Sequence, residues 1–91
     1  MSLFNLFDVT GRKALVTGAG RGIGRVLAVA LAEAGCDVSV LVRSVKEAEP
    51  VVREIRRLGR QGLAVQADVR KKEQVDRAFA DTVEQFGRLD I

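Results

Sequence analysis

The sequence predicts an α/β fold, one half of a doubly wound parallel sheet, and three observations predict it. Short runs rich in valine, leucine and alanine fall at Lys13–Thr17, Asp37–Val42 and residues 63–67. Stretches with apolar residues at helical spacing separate them, and a glycine closes each stretch, at Gly35, Gly59 and Gly87. Strands alternating with helices of this length pair in parallel through right-handed crossovers, with helices on both faces of the sheet. The predicted order is β-α-β-α-β-α, and Leu89-Asp90-Ile91 opens a fourth strand.

The first strand, Lys13–Thr17, is bounded by Gly11 and by a glycine cluster, as a buried strand between turns would be. Ile23, Leu27, Ala30 and Ala34 then recur at helical spacing up to Gly35. After the second strand, Ser44 with Glu47 three residues on has the form of a capping box, and Val51, Ile55 and Leu58 mark the apolar face of the next helix. Pro50 removes a backbone donor, so this helix is expected to begin near Glu49. The third strand ends at Asp68, and Val75, Phe79, Val83 and Phe86 stripe the third helix.

Ninety-one residues suffice for one small domain or a piece of a larger one, and exclude a second. A content of 47% hydrophobic and 30% charged residues with one proline is globular. The lone Cys36 allows no internal disulfide and no histidine is present to join it at a metal, so the residue reads as a small buried apolar group in a reducing compartment. The apolar region from Val26 to Val42 is broken by Glu33 and Asp37, too short for a membrane span, and no basic segment precedes the apolar N-terminal residues. A soluble, cytoplasmic protein is expected. The net charge of +3 is spread over mixed acidic and basic faces, and four phenylalanines without tyrosine or tryptophan give little for base stacking, so neither nucleic acid nor membrane is an expected partner.

The stretch TGAGRGIG, Thr17 to Gly24, holds four glycines between a strand and a helix. This delivers a helix N-terminus, with free N–H groups and the positive end of the helix dipole, to the carboxyl edge of the sheet, which is an anion site. Gly18 suits a sharp turn, Gly22 lets a diphosphate lie against the main chain, and Gly24 lets the helix approach the first strand. The spacing is not G-x-G-x-x-G, because Ile23 and Arg25 occupy the positions where the last glycine would fall; it is T-G-x-x-x-G-x-G.

That pattern, with LVRS at the second strand end, ADV at the third and GRLDI at the close, resembles the short-chain dehydrogenase/reductases over residues 7–91. The resemblance implies a Rossmann-type fold, with residues 1–91 as its partial NAD(P)-binding portion, and a strand order of 3-2-1-4. It places Thr17, Gly18, Gly20, Gly22, Ile23 and Gly24 around the dinucleotide diphosphate, and Asp68 and Val69 beside the adenine. An acidic residue at the end of the second strand would bind the adenosine ribose of NAD, but Val42 stands there and Arg43 follows. A guanidinium at that point grips the 2′-phosphate of NADP, with Ser44 adding a hydroxyl or N–H contact and Arg21 a second basic group, so NADP is the expected cofactor and NAD the lesser one.

In the family a serine, a tyrosine and a lysine four residues after it carry out hydride chemistry, with an asparagine assisting. This chain has no tyrosine and stops before the asparagine segment, so no catalytic residue is assigned within it and the segment alone is expected to be inactive. The expected function is the cofactor-binding part of an oxidoreductase interconverting a small alcohol and a ketone. Members acting on gluconate and 3-oxoacyl-thioester reductases share its motifs. The rival is an NADP-binding module without chemistry, and homo-oligomers are expected by resemblance alone.

Overall fold

A computed structural model describes residues 9–20 and 22–91. Its elements run β1 (Lys13–Thr17), α1 (Gly22–Glu33), β2 (Asp37–Val42), α2 (Val45–Arg57), β3 (Gly62–Gln66) and α3 (Lys72–Phe86). The three strands form a parallel sheet in the order β1-β2-β3, with Lys13 opposite Asp37 and Val38 opposite Gly62. On the free edge of β1, the Ile91 N–H donates to the Lys13 carbonyl at 3.1 Å and the Leu15 N–H donates to the Ile91 carbonyl at 2.9 Å. Those two bonds bracket Ala14 in the pattern of a parallel ladder. The chain thus begins a fourth position beside β1, in the spatial order 3-2-1-4.

Alternation along the strands divides the apolar side chains between two layers. Ala14, Val16, Val38, Val40 and Val42 face Ala28, Leu31 and Ala32 of α1 and Ala48, Val51, Val52 and Ile55 of α2. Leu15, Leu41, Leu63 and Val65 face the opposite way, toward Ala78 of α3. Every residue of β2 is buried, because it has a strand on each side and a helix layer on each face. Ser39, the polar residue at its centre, reaches Thr82 of α3 at 2.9 Å, and the Thr82 hydroxyl donates to the Ala78 carbonyl. With that proton spent, Ser39 is the donor of the pair, and both buried hydroxyls are satisfied.

Five local expectations are corrected. Helix α2 begins at Val45, not near Glu49, and carries Pro50 within it. Pro50 and Lys46, whose carbonyl loses its intrahelical donor, both lie on the exposed side, where water can replace the missing bond. Ser44 occupies the N-cap with extended φ and ψ but makes no side-chain cap bond, so the Ser44–Glu47 box does not form. In α1 the core face is Ala28, Leu31 and Ala32, whereas Ile23 is 88% exposed and Leu27 43% exposed. In α3 the core face is Ala78 and Thr82, and Phe79 and Val83 are exposed. Apart from Leu31, both helices lie against the sheet through small residues, which permit close approach and turn most of the larger ones outward. Strand β3 runs one residue earlier than expected, through Gly62–Gln66.

Candidate functional site

The site is built where the strands end. After Thr17 the chain leaves β1 through a turn in which the Gly18 N–H donates to the Leu41 carbonyl at 3.0 Å, tying the turn to β2. Gly18 has φ +64° and Gly22 φ +65°, in the left-handed region that side chains with a Cβ avoid. No atom lies within 4 Å of where a Cβ would stand on either residue, so their backbone faces open space. Gly24 is constrained differently: a Cβ there would lie 2.3 Å from the Gly18 carbonyl oxygen and 2.9 Å from its carbon. Only glycine lets the first turn of α1 seat against the end of β1 this closely.

Gly20 has a third reason to be glycine. A Cβ on it would fall 2.9 Å from the Glu47 Cβ and 3.2 Å from Glu47 Oε2. The first turn of α2 therefore lies against the glycine turn and sets the Glu47 carboxylate over it. These segments enclose a cleft of about 340 Å³ at the carboxyl edge of the sheet. Thr17, Gly18 and Gly20 form its floor, Leu41, Val42 and Arg43 the β2 side, Ala67 and Val69 the β3 side, and Glu47 closes it from α2. A crevice outside the carboxyl ends of parallel strands, next to the strand where the order reverses, is where open α/β sheets bind ligands.

Of the residues expected in a site, Thr17, Gly18, Gly20, Arg43 and Val69 line this one cleft, and Gly22 and Gly24 shape the helix start behind it. Arg43 is exposed, and among the described residues its side chain enters no hydrogen bond or ion pair. Ile23 points away into solvent, and Ser44 is half-buried at the N-cap of α2. Arg21 lies outside the described residues. Asp68 borders the cleft without lining it, and its carboxylate accepts from the Arg70 guanidinium at 2.9 and 3.0 Å and from the Arg70 N–H at 3.0 Å. Those bonds hold its pKa down at about 2, so it is an anion with part of its accepting capacity committed.

Sequence reasoning missed Leu41, Ala67 and above all Glu47. The first two could have been found as the last buried positions of their strands. Glu47 stands three residues after Ser44, a spacing that suggests a cap, and nothing local reveals that α2 carries it across to Gly20. Cys36 is buried, its thiol donating to the Val9 carbonyl at 3.4 Å, and burial followed by the neighbouring Asp37 charge pushes its pKa up, which makes it a poor nucleophile. Among the described residues no group of histidine, cysteine or acidic side chains could hold a metal, and no helix is long and apolar enough to cross a membrane.

Known proteins share this arrangement. A short-chain dehydrogenase/reductase of Pestalotiopsis microspora is 48% identical over 86 residues, which are 93% of this chain and 32% of that protein. The crystal structure of a short-chain type dehydrogenase/reductase from Mycobacterium marinum matches 99% of this chain and 36% of its own, with TM-score 0.90 and 38% identity. That of carveol dehydrogenase from Mycobacterium avium, in complex with NAD, matches 91% of this chain and 34% of its own, with TM-score 0.86 and 32% identity. The chain thus spans about a third of the length of the relatives it matches. The profile of the short chain dehydrogenases matches residues 12–91, nearly all of the sheet, the glycine turn and the cleft, and the chain belongs to that family.

Proposed function

We propose that residues 1–91 form the dinucleotide-binding portion of an oxidoreductase that transfers hydride between NADP(H) and a small alcohol or carbonyl compound. The observation that carries the reading is the bare turn. Gly18 and Gly22 leave the backbone open at a helix N-terminus, Gly24 seats that helix against Gly18, and the unpaired Arg43 guanidinium lies on the same cleft. A dinucleotide diphosphate suits the turn, because backbone N–H groups at a helix start stabilise an anion without a side chain in the way. In this reading Thr17, Gly18, Gly22 and Gly24 bind the diphosphate, Gly20 and Ile23 complete its cradle through their backbones alone, and Asp68 and Val69 border the adenine. Arg43, with Ser44, takes the 2′-phosphate of NADP.

When bound, the dinucleotide supplies or receives the hydride. The segment's own part is to hold and orient it. With no tyrosine among the 91 residues, the proton transfer to or from the substrate oxygen falls to residues outside this segment. The carveol dehydrogenase relative, solved with NAD, supports a dinucleotide in this fold and leaves the choice between NADP and NAD to the residues at the end of β2.

The test is a pair of binding measurements on the full-length protein that contains this segment. Arg43→Ala removes one charge-assisted contact, and NADPH affinity is expected to fall about tenfold to a hundredfold, corresponding to roughly 1.5 to 3 kcal/mol. NADH affinity should change little. Equal binding of NADPH and NADH, with a ratio insensitive to Arg43→Ala, would rule out the assignment of NADP.

A further inference from the structure

We infer that Glu47 is a second determinant of cofactor choice, a carboxylate facing the 2′ position of the adenosine ribose that opposes Arg43 and narrows the preference for NADP. The inference rests on the reading of the cleft as a dinucleotide site. Two charged side chains line that cleft among the described residues, Arg43 and Glu47, and they are too far apart to form an ion pair with each other. Neither is neutralised by another described side chain, so each acts on whatever enters.

The position of Glu47 is fixed by packing. Its Cβ and main-chain carbonyl lie against Gly20, and the next residue, Ala48, is fully buried in the core. The Glu47 backbone is therefore fixed at the cleft wall, and its Oε2 lies on the Gly20 side. Dinucleotide sites that select NAD place an acidic residue at the end of the second strand, where it accepts from the ribose 2′-hydroxyl. Val42 fills that place here, and the first turn of α2 brings a carboxylate to the same cleft by another route. A phosphate group there carries about −1.5 to −2 charge and repels it, whereas a ribose hydroxyl donates to it. Arg43 favours the phosphate and Glu47 opposes it, so the site discriminates by the difference.

The test uses half-ligands that cannot react, so turnover does not enter. 2′,5′-ADP and 5′-AMP are titrated calorimetrically into the full-length protein, its Glu47→Gln variant and its Arg43→Ala variant. Glu47 is exposed, so the Gln variant should melt as the parent does. It is expected to bind 2′,5′-ADP about three- to tenfold tighter, the scale of one partly screened unit charge at this range. Binding of 5′-AMP should stay level or weaken, so the ratio of the two rises. A ratio unchanged or lowered in Glu47→Gln overturns the role of Glu47. If Arg43→Ala lowers the ratio in that case, the Arg43 reading stands alone. If Arg43→Ala leaves the ratio unmoved while Glu47→Gln raises it, the Arg43 reading fails and Glu47 remains the determinant. Binding of neither half-ligand to the parent protein overturns both.

Discussion

At the scale of single residues, four glycines within seven positions do three different jobs. Gly18 and Gly22 supply left-handed backbone, Gly20 makes room for Glu47, and Gly24 makes room for the Gly18 carbonyl. The last is the least forgiving, because the obstructing atoms are backbone and cannot swing aside. Gly24→Ala is therefore expected to destabilise the full-length protein by about 1 to 3 kcal/mol despite the better helix propensity of alanine. It should also weaken dinucleotide binding, since the turn must shift to admit the methyl group. Thermal melting and titration with NADPH check both, and a variant as stable and as tight as its parent would show that the contact yields easily. The glycine roles at 18 and 24 were legible in the sequence, because strand, turn and helix are consecutive there. That of Gly20 was not, because its neighbour Glu47 comes from the next helix.

At the scale of elements, Asp37 joins three of them at the edge of the sheet away from the cleft. It opens β2, pairs with Lys13 of β1, and accepts the Gln61 N–H at 2.8 Å and an Arg60 contact at 3.4 Å from the loop before β3. Burial raises its pKa, and the Lys13 bond, the Gln61 N–H and the Arg60 charge together outweigh that, so the carboxyl lies below its ordinary 3.8. A depressed folded pKa contributes stability that is fully present above 3.8 and is lost as pH falls through the folded value. Asp37→Asn is expected to cost about 3 kcal/mol near neutral pH, because Lys13 is left without its partner in a mostly buried place. It should also flatten the acid limb of a plot of stability against pH below about 4. Denaturant melts at several pH values check it, and parallel acid limbs for variant and parent would refute the assignment. The sequence placed Asp37 correctly at the start of β2, but its three partners belong to other elements.

At the scale of the whole molecule, large apolar side chains are exposed among the described residues in two helical stripes: Ile23, Val26 and Leu27 along α1, and Phe79 and Val83 along α3. Residues 1–91 expressed by themselves are expected to self-associate or stay loosely packed, as exposed apolar patches beside a scarcely paired strand edge do. Analytical ultracentrifugation with a thermal melt checks this, and a monomer that unfolds cooperatively would refute it. The sequence by itself determined the element order, the parallel sheet and the glycine turn, because each is written in contiguous residues through a period of two, a helical period or a run of glycines. Tertiary structure decided which stripe of α1 and α3 meets the core, since these helices are apolar on more than one face and the sheet selects the small residues. It also decided that Glu47 shares a cleft with Arg43. No local rule encodes that meeting, because it depends on how closely α2 packs against the turn after β1.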